Sequence, residues 1–153
     1  MPRYFVLSMT EANFKIAIRE KLIGFGERSR SLCRKLADGD LVTFYLTRAD
    51  SGEKAAPVQA FAGIARVKGP AFESNDLIWP PRGSEIFPWR RRIEVLESNG
   101  HLPIRPLIGK LDLITSDLYW ALPLKNAARE ITEHDFELIR AGIEASRTKA
   151  KEP

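Results

Sequence analysis

Residues 41–67 read LVTFYLTRADSGEKAAPVQAFAGIARV, and this stretch decides the predicted fold. Residues 41–47 are mainly β-branched, aromatic or aliphatic and predict a strand, and residues 58–67 predict a second strand. The polar residues 48–57 between them favour a hairpin loop. Gly63, inside the second strand, indicates a β-bulge or a close approach of another backbone. The stretch therefore predicts an antiparallel pair of strands.

The segment before this hairpin predicts a strand and two helices. Residues 4–8 read as a strand, and Thr10 is a favourable N-cap for a helix that follows. Gly24 and Gly26 are predicted to end that helix, and residues 27–36 predict a short basic helix. The apolar positions of the first helix are Phe14, Ala17, Ile18 and Leu22.

The segment after the hairpin predicts one more strand and a last helix. Residues 89–97 (WRRRIEVLE) alternate, which places Trp89 and Arg91 on one face and Arg90 on the other. Thr132 is expected to cap the last helix. The order β-α-α-β-β-β-α predicts an α+β fold with a small, strongly curved sheet or barrel.

Residues 74–92 (SNDLIWPPRGSEIFPWRRR) predict a long irregular loop that contains large aromatic residues. Long loops in compact domains are uncommon and often functional. Trp79, Phe87 and Trp89 offer flat apolar faces close to arginines, a combination that suits stacked bases. The alternative is that the tryptophans cover the core and the arginines are solvated.

Length and composition limit the class of protein. A chain of 153 residues favours one domain, predicted at residues 1–145 with a basic, flexible tail at 146–153. The N-terminal residues form no long apolar run, so we expect no signal peptide or membrane span and a cytoplasmic monomer. The net charge of +4 is compatible with a phosphate-bearing partner.

No catalytic set is evident in the sequence. His101 and His134 belong to no pair with metal-ligand spacing, and Cys33 is the single cysteine. Asp38 and Asp40 flank a glycine, a pattern typical of a turn. We therefore expect no metal, no cofactor and no catalytic residue, although distant groups can converge in a fold.

Several short motifs, in order along residues 4–143, resemble the EVE domain family of the PUA-like superfamily, which includes the YTH and ASCH domains. The resemblance implies a PUA-like fold, with a curved mixed sheet or pseudo-barrel flanked by helices. It also implies a non-catalytic role in binding nucleic acid, DNA or RNA, with a modified base flipped into an aromatic pocket. The motifs are residues 4–8 with Asn13-Phe14, residues 24–30, Gly39-Asp40 with Phe44-Tyr45, residues 61–64, residues 87–90, and residues 128–131 with Asp135-Phe136.

The resemblance also assigns roles to individual residues. Asn13 would offer its amide to a base edge, Phe25 and Gly26 would form one wall, and Tyr45 would lie at the pocket floor or in the core. The other wall is implied for Trp79, Phe87, Pro88 and Trp89, and contacts with phosphates are implied for Arg28, Arg30 and Arg90.

Two questions stay open at this stage. Arg91 stands where the family usually has an aliphatic residue, so it needs a buried partner or a bulge that turns it outward. The alternative function is an ASCH-like hydrolase or nuclease, for which Asp38, Asp40 and Glu85 are the nearby acids.

Overall fold

The computed structural model describes residues 2–151 of the chain, and side chains for residues 2–147. Within these residues, three helices and seven strands are connected by loops and by short 3-10 turns at Glu27–Ser29, Arg105–Leu107 and Leu122–Leu124. The helices are α1 (Glu11–Glu20), α2 (Arg30–Lys35) and α3 (Glu133–Lys151). The strands are β1 (Tyr4–Met9), β2 (Leu22–Phe25), β3 (Leu41–Arg48), β4 (Pro57–Glu73), β5 (Trp89–Glu97), β6 (Leu102–Pro103) and β7 (Ala128–Ile131).

The strands form one curved mixed sheet in the order β2-β5-β4-β3-β1-β7, and β6 pairs with β4. Strands β1 and β3 are parallel, while the other pairings are antiparallel. The sheet curls into a half-barrel, which confirms the predicted α+β class and the strong curvature. Because β1 and β3 run in the same direction, their carboxyl ends meet at one end of the sheet.

Both faces of the sheet are covered, and each face has its own hydrophobic cluster. The first cluster joins Phe5 and Leu7 of β1 to α1, α2 and Trp79. The second joins Val6 of β1 to α3 and to residues 104–124. Neighbouring residues of a strand point to opposite faces, so β1 contributes to both clusters.

Gly63 is explained by its surroundings. The pairing of β3 with β4 shifts register between Phe44 and Tyr45, opposite Gly63 and Phe61. A Cβ atom at Gly63 would lie 2.7 Å from the Glu97 carbonyl oxygen and 2.9 Å from the Phe14 ring. The structure therefore shows both the bulge and the close approach that the sequence left as alternatives.

The predicted end of the first helix is wrong. Helix α1 begins after Thr10, whose hydroxyl accepts a hydrogen bond from the Asn13 N–H, as the sequence predicts. It ends at Glu20 rather than at Gly24 and Gly26, and Lys21 closes it in a left-handed conformation (φ 56°). The following residues instead form β2, which pairs with β5 and satisfies its backbone there.

Three short strands were not predicted, namely β2, β6 and β7. Each has four residues or fewer, too few for a periodic pattern, and each forms through pairing with a distant strand. Helix α3 is capped by the Thr132 hydroxyl as expected, and it continues to Lys151, past the predicted boundary at residue 145. The predicted flexibility of residues 146–153 stays a prediction, and residues 152 and 153 lie outside the described part. Within residues 2–151, no helix is long and apolar enough to cross a membrane.

Candidate functional site

A cleft of about 890 Å³ opens at the carboxyl ends of β1 and β3. Its volume is in the upper part of the range for small-molecule sites, about 300–1,000 Å³. The cleft touches both hydrophobic clusters, so it crosses the end of the sheet rather than one face. Five aromatic residues line it, namely Phe25, Tyr45, Trp79, Phe87 and Trp120.

Trp79 forms a fixed inner wall of the cleft. It is only 4% exposed, and its indole N–H donates to the Asn13 carbonyl oxygen at 3.3 Å. Phe87 meets it edge to face, with ring centroids 6.4 Å apart. A Cβ atom at Gly24 would lie 2.6 Å from the Trp79 ring, so only glycine leaves room for this wall. The prediction places Trp79 in the pocket wall, and the geometry is compatible with that role.

Arg90 holds the loop that carries this wall. It is 1% exposed, its guanidinium lies 5.4 Å from the Trp79 ring centroid, and it donates to the carbonyl oxygens of Phe87 and Asp76. Burial lowers the pKa of Arg90 from its ordinary value. The predicted contact between Arg90 and phosphate is therefore corrected, because residues 74–88 fold back over its side chain.

The same loop is connected through Glu85 to the Glu27–Ser29 turn that follows β2. One carboxylate oxygen of Glu85 accepts the Phe87 N–H at 2.9 Å, and the other accepts the Glu27 N–H at 3.1 Å. Phe87 adopts a left-handed backbone (φ 57°), which is unusual for a bulky residue. Gln59, which also lines the cleft, has φ 51°. Strained residues of this kind cluster at functional sites.

The Asn13 and Ser8 side chains reach the cleft without a protein partner among the described residues. The Asn13 amide lines the cleft, and none of the hydrogen bonds within residues 2–147 uses it. The Ser8 hydroxyl oxygen is buried and also unpartnered in this range. An unpaired buried polar group costs about 1–3 kcal/mol, so a ligand that satisfied Ser8 would recover that free energy.

Trp89 and Pro88 lie outside the cleft, which corrects their predicted place in its wall. Trp89 packs on the side of β5 that α2 covers, and its indole N–H donates to the Glu27 carboxylate at 2.8 Å. The guanidiniums of Arg30 and Arg34 lie 4.3 and 5.5 Å from its ring centroids. The alternation of residues along β5 predicts which face of the sheet Trp89 lies on, but it does not predict that α2 covers this face.

The three predicted phosphate-binding arginines thus occupy three different environments. Arg28 is exposed and lines the cleft, Arg30 is exposed and stacks on Trp89, and Arg90 is buried. The first two remain accessible to a phosphate.

Arg91 is a buried arginine with backbone partners rather than a bulged one. It is 2% exposed and donates to the carbonyl oxygens of Cys33, Leu36 and Gly69. Burial lowers the pKa of its guanidinium. Its contacts join the end of α2 and the turn in β4 to the sheet, which is a structural role.

The acids of the enzyme hypothesis serve the backbone. Asp38 accepts the Gly69 N–H, and Asp40 accepts the N–H groups of Arg3 and Ala37. Both lie at the amino end of β3, whereas the cleft lies at its carboxyl end. Glu85 is used in the loop, as described above. The structure therefore does not bring these three carboxylates together.

A second polar cluster lies away from the cleft. His134 Nδ1 lies 3.2 Å from an Asp112 carboxylate oxygen and 3.3 Å from one of Asp135. The buried Asp135 carboxylate also accepts the N–H groups of Asp112 and Leu113, and Asp112 accepts the Thr132 hydroxyl. The sequence missed this grouping because Asp112 is distant along the chain. Its hydrogen bonds connect the start of α3 to the preceding loop.

The sequence also missed Ser8, Gln59 and Trp120 as cleft residues. Ser8 ends the predicted first strand, where a polar residue facing a cleft is expected, and this position was the available signal. Trp120 lies in an apolar segment that also exposes Leu118 and Tyr119. An exposed apolar cluster of this kind is itself an indication of a binding surface.

Comparison with known proteins identifies relatives of the whole fold. The family model described as "EVE domain" matches residues 3–142. A "UPF0310 protein" from Mycobacterium avium is 33% identical over 115 residues, which cover 73% of this chain and 76% of that protein.

Solved structures share the fold at low sequence identity. A hypothetical protein from Leishmania major has a TM-score of 0.62 at 15% identity, covering 96% of this chain and 98% of that one. A YTH domain from Zygosaccharomyces rouxii, solved in complex with N6-methyladenosine RNA, has a TM-score of 0.62 at 13% identity. That match covers 92% of this chain and 85% of the YTH domain. At these identities the likeness shows the fold.

Proposed function

The chain belongs to the EVE domain family, and on this premise we propose that it is a non-catalytic module that binds nucleic acid and holds one flipped base in the cleft. The base lies against the aromatic wall to which Trp79, Phe25 and Phe87 contribute, and the Asn13 amide meets its polar edge. The proposal includes a cytoplasmic monomer as the working form.

The observation that carries this proposal is the combination of flat apolar walls with unused polar groups. Trp79 is held by Asn13, Arg90 and the absence of a side chain at Gly24, so its ring is in place before a ligand binds. Preorganised groups bind more tightly because less conformational freedom is lost on binding. The Asn13 amide and the Ser8 hydroxyl supply hydrogen-bonding capacity that the described protein does not use.

Charge supports the choice of a phosphate-bearing ligand. Arg28 lines the cleft. Arg30 is exposed at the start of α2, two residues further along the chain. The YTH domain of the same fold, solved with N6-methyladenosine RNA, supports a modified base in the cleft of this chain. An added methyl group contributes about 0.8 kcal/mol when it is buried, enough for a modest preference.

The test is a titration of single-stranded DNA and RNA oligonucleotides that carry one central cytosine, 5-methylcytosine, 5-hydroxymethylcytosine or N6-methyladenine. We expect one modified base to bind more tightly than the others in fluorescence anisotropy. Asn13→Ala removes the amide but keeps the backbone carbonyl that accepts from Trp79. It should lower affinity for that oligonucleotide about 2- to 13-fold, the equivalent of one hydrogen bond.

Asn99→Ala is the matched control, because Asn99 is exposed and lies outside the cleft. Equal binding of all bases that disappears at high salt would contradict the base-holding proposal and leave only phosphate attraction. Turnover of any of the oligonucleotides by the purified protein would contradict the non-catalytic part.

A further inference from the structure

We propose that the far half of the cleft binds the nucleotide next to the flipped base, so the ligand is a single strand and not a free nucleoside. This inference rests on the proposed function and adds a second base site, at Trp120. The far half is the side that Tyr45, Gln59 and Trp120 line.

The first argument is the place of the far half in the fold. Trp79 and Phe87 pack with the first hydrophobic cluster, whereas Tyr45 and Trp120 pack with the second. The sheet lies between these clusters, so the two sets of rings approach the cleft from opposite faces of β1 and β3. A base held on the Trp79 side therefore leaves the Trp120 side free for another planar group.

The second argument is the state of Trp120. Its ring is partly exposed and lines the cleft, and the Arg105 guanidinium lies 5.0 Å from its ring centroids. A partly exposed indole beside a cation is the arrangement on which single-stranded nucleic acids stack their bases. Trp79, by contrast, is almost fully enclosed.

The third argument is the unused polar capacity around Trp120. None of the hydrogen bonds within residues 2–147 involves the Tyr45 hydroxyl or the side-chain amides of Gln59 and Asn126. Tyr45 is only 3% exposed as a whole residue, and it lines the cleft. Lys125, also on the lining, is exposed and positive. Amides suit base edges, and a lysine suits the phosphate between two nucleotides.

The test uses single-stranded hexamers that carry the best-bound base of the four-base panel at the third position. In further hexamers an abasic sugar replaces the neighbour on the 5′ or the 3′ side. An abasic neighbour keeps its phosphate but cannot stack. We expect one of the two abasic hexamers to bind the wild-type protein about 5- to 150-fold more weakly, the range for loss of one stacked base.

Trp120→Ala should weaken the intact hexamer by the same factor and make the protein insensitive to the abasic neighbour, because both changes remove one contact. Tyr119→Ala is the matched control, since Tyr119 is the adjacent aromatic residue, is 66% exposed and does not line the cleft. Melting temperatures establish that each variant is folded. Gln59→Asn is a second variant, since asparagine tolerates the left-handed backbone and withdraws the amide by one methylene.

The outcomes separate the two proposals. If no hexamer binds, the proposed function fails, and this inference fails with it. If hexamers bind with base preference but neither abasic neighbour weakens binding, the second base site alone is overturned. A neighbour effect that persists unchanged in Trp120→Ala also overturns it, because the stacking site would then lie elsewhere.

Discussion

Trp79 and Trp89 lie ten positions apart on the same chain segment and have opposite environments. Trp79 is enclosed. Its ring packs directly against the Gly24 backbone, and the buried Arg90 lies beside it. Trp89 lies outside the cleft. The exposed Arg30 and Arg34 cover its ring, and its indole N–H donates a hydrogen bond to the Glu27 carboxylate. Aromatic and basic residues in one loop therefore do not form one binding surface. The enclosed ring shapes a cavity, and the outer ring supports a charged surface.

The largest effect that tests this comparison is expected from truncating the two tryptophans. Trp79→Ala should lower the free energy of unfolding by about 3–5 kcal/mol, since it removes a large enclosed ring and leaves a cavity. Trp89→Ala should cost about 1 kcal/mol, since its arginine contacts are exposed. Urea denaturation measures both values.

Base preference separates the two variants further. Trp89→Ala should keep the preference among the four bases, and Trp79→Phe, which retains a flat ring, should keep part of it. If a folded Trp89→Ala protein lost its base preference, the base would lie on the outer surface at Trp89. Trp89, and not Trp79, would then be the tryptophan at the base site.

The buried arginines give the next largest effect, because Arg90 contacts Trp79 and Arg91 holds the end of α2, the helix on the Trp89 side. Arg91→Met removes three hydrogen bonds to backbone carbonyls, two at the end of α2 and one at Gly69 in β4, and should cost about 2–4 kcal/mol. Arg90→Met releases the Phe87 and Asp76 carbonyls and frees the loop around Trp79. Of the two, Arg90→Met should weaken base binding more at equal stability. Equal binding by both folded variants would show that the loop needs no fixed anchor.

The sequence predicts these regions unequally, for physical reasons. Strand patterns and the Thr10 cap depend on neighbouring residues, so the β3–β4 hairpin and the start of α1 follow from local propensity. The position of Arg90 depends on residues 74–88 folding back over it, which no periodicity encodes.

The sequence predicts a cleft residue only where it lies in a short local motif or where the family resemblance assigns it a role. Asn13, Phe25, Gly26, Tyr45, Trp79 and Phe87 line the cleft, and their role in binding a base stays a prediction. Ser8 lies in β1, Gln59 in β4 and Trp120 in the turn before Leu122, so no periodic pattern of the sequence predicts that the three converge. Arg91 shows the same limit, since its three carbonyl partners come from two distant segments.

A smaller effect is expected at alkaline pH on the Trp89 side, where α2 covers the sheet. Burial raises the pKa of the Cys33 thiol to about 11, from an ordinary value of 9.0. The unfolded chain therefore ionises Cys33 first, so stability is complete below about pH 9 and falls as pH rises toward 11. The total loss is about 3 kcal/mol, since one pKa unit corresponds to about 1.4 kcal/mol.

Cys33→Ala should flatten this part of the pH profile, measured as urea midpoints between about pH 8.5 and 10.5. Burial also raises the pKa of Tyr45, at the cleft, to about 12, so its contribution falls only at higher pH. An identical decline in Cys33→Ala would assign the effect to other groups.

The smallest effects are expected from two exposed arginines, one at the cleft and one beside Trp89. Arg28 lines the cleft and Arg30 stacks on Trp89, and both are accessible to phosphates. The logarithm of affinity for a single strand falls with the logarithm of salt concentration, with a slope of about 0.7 per phosphate neutralised. Arg28→Gln and Arg30→Gln should each reduce that slope by about 0.7, while stability changes by less than about 1 kcal/mol. Lys110→Gln is the control, since Lys110 is exposed and outside the cleft. A reduced slope in Arg28→Gln alone would limit the phosphate path to the cleft mouth and leave the Trp89 surface a structural one.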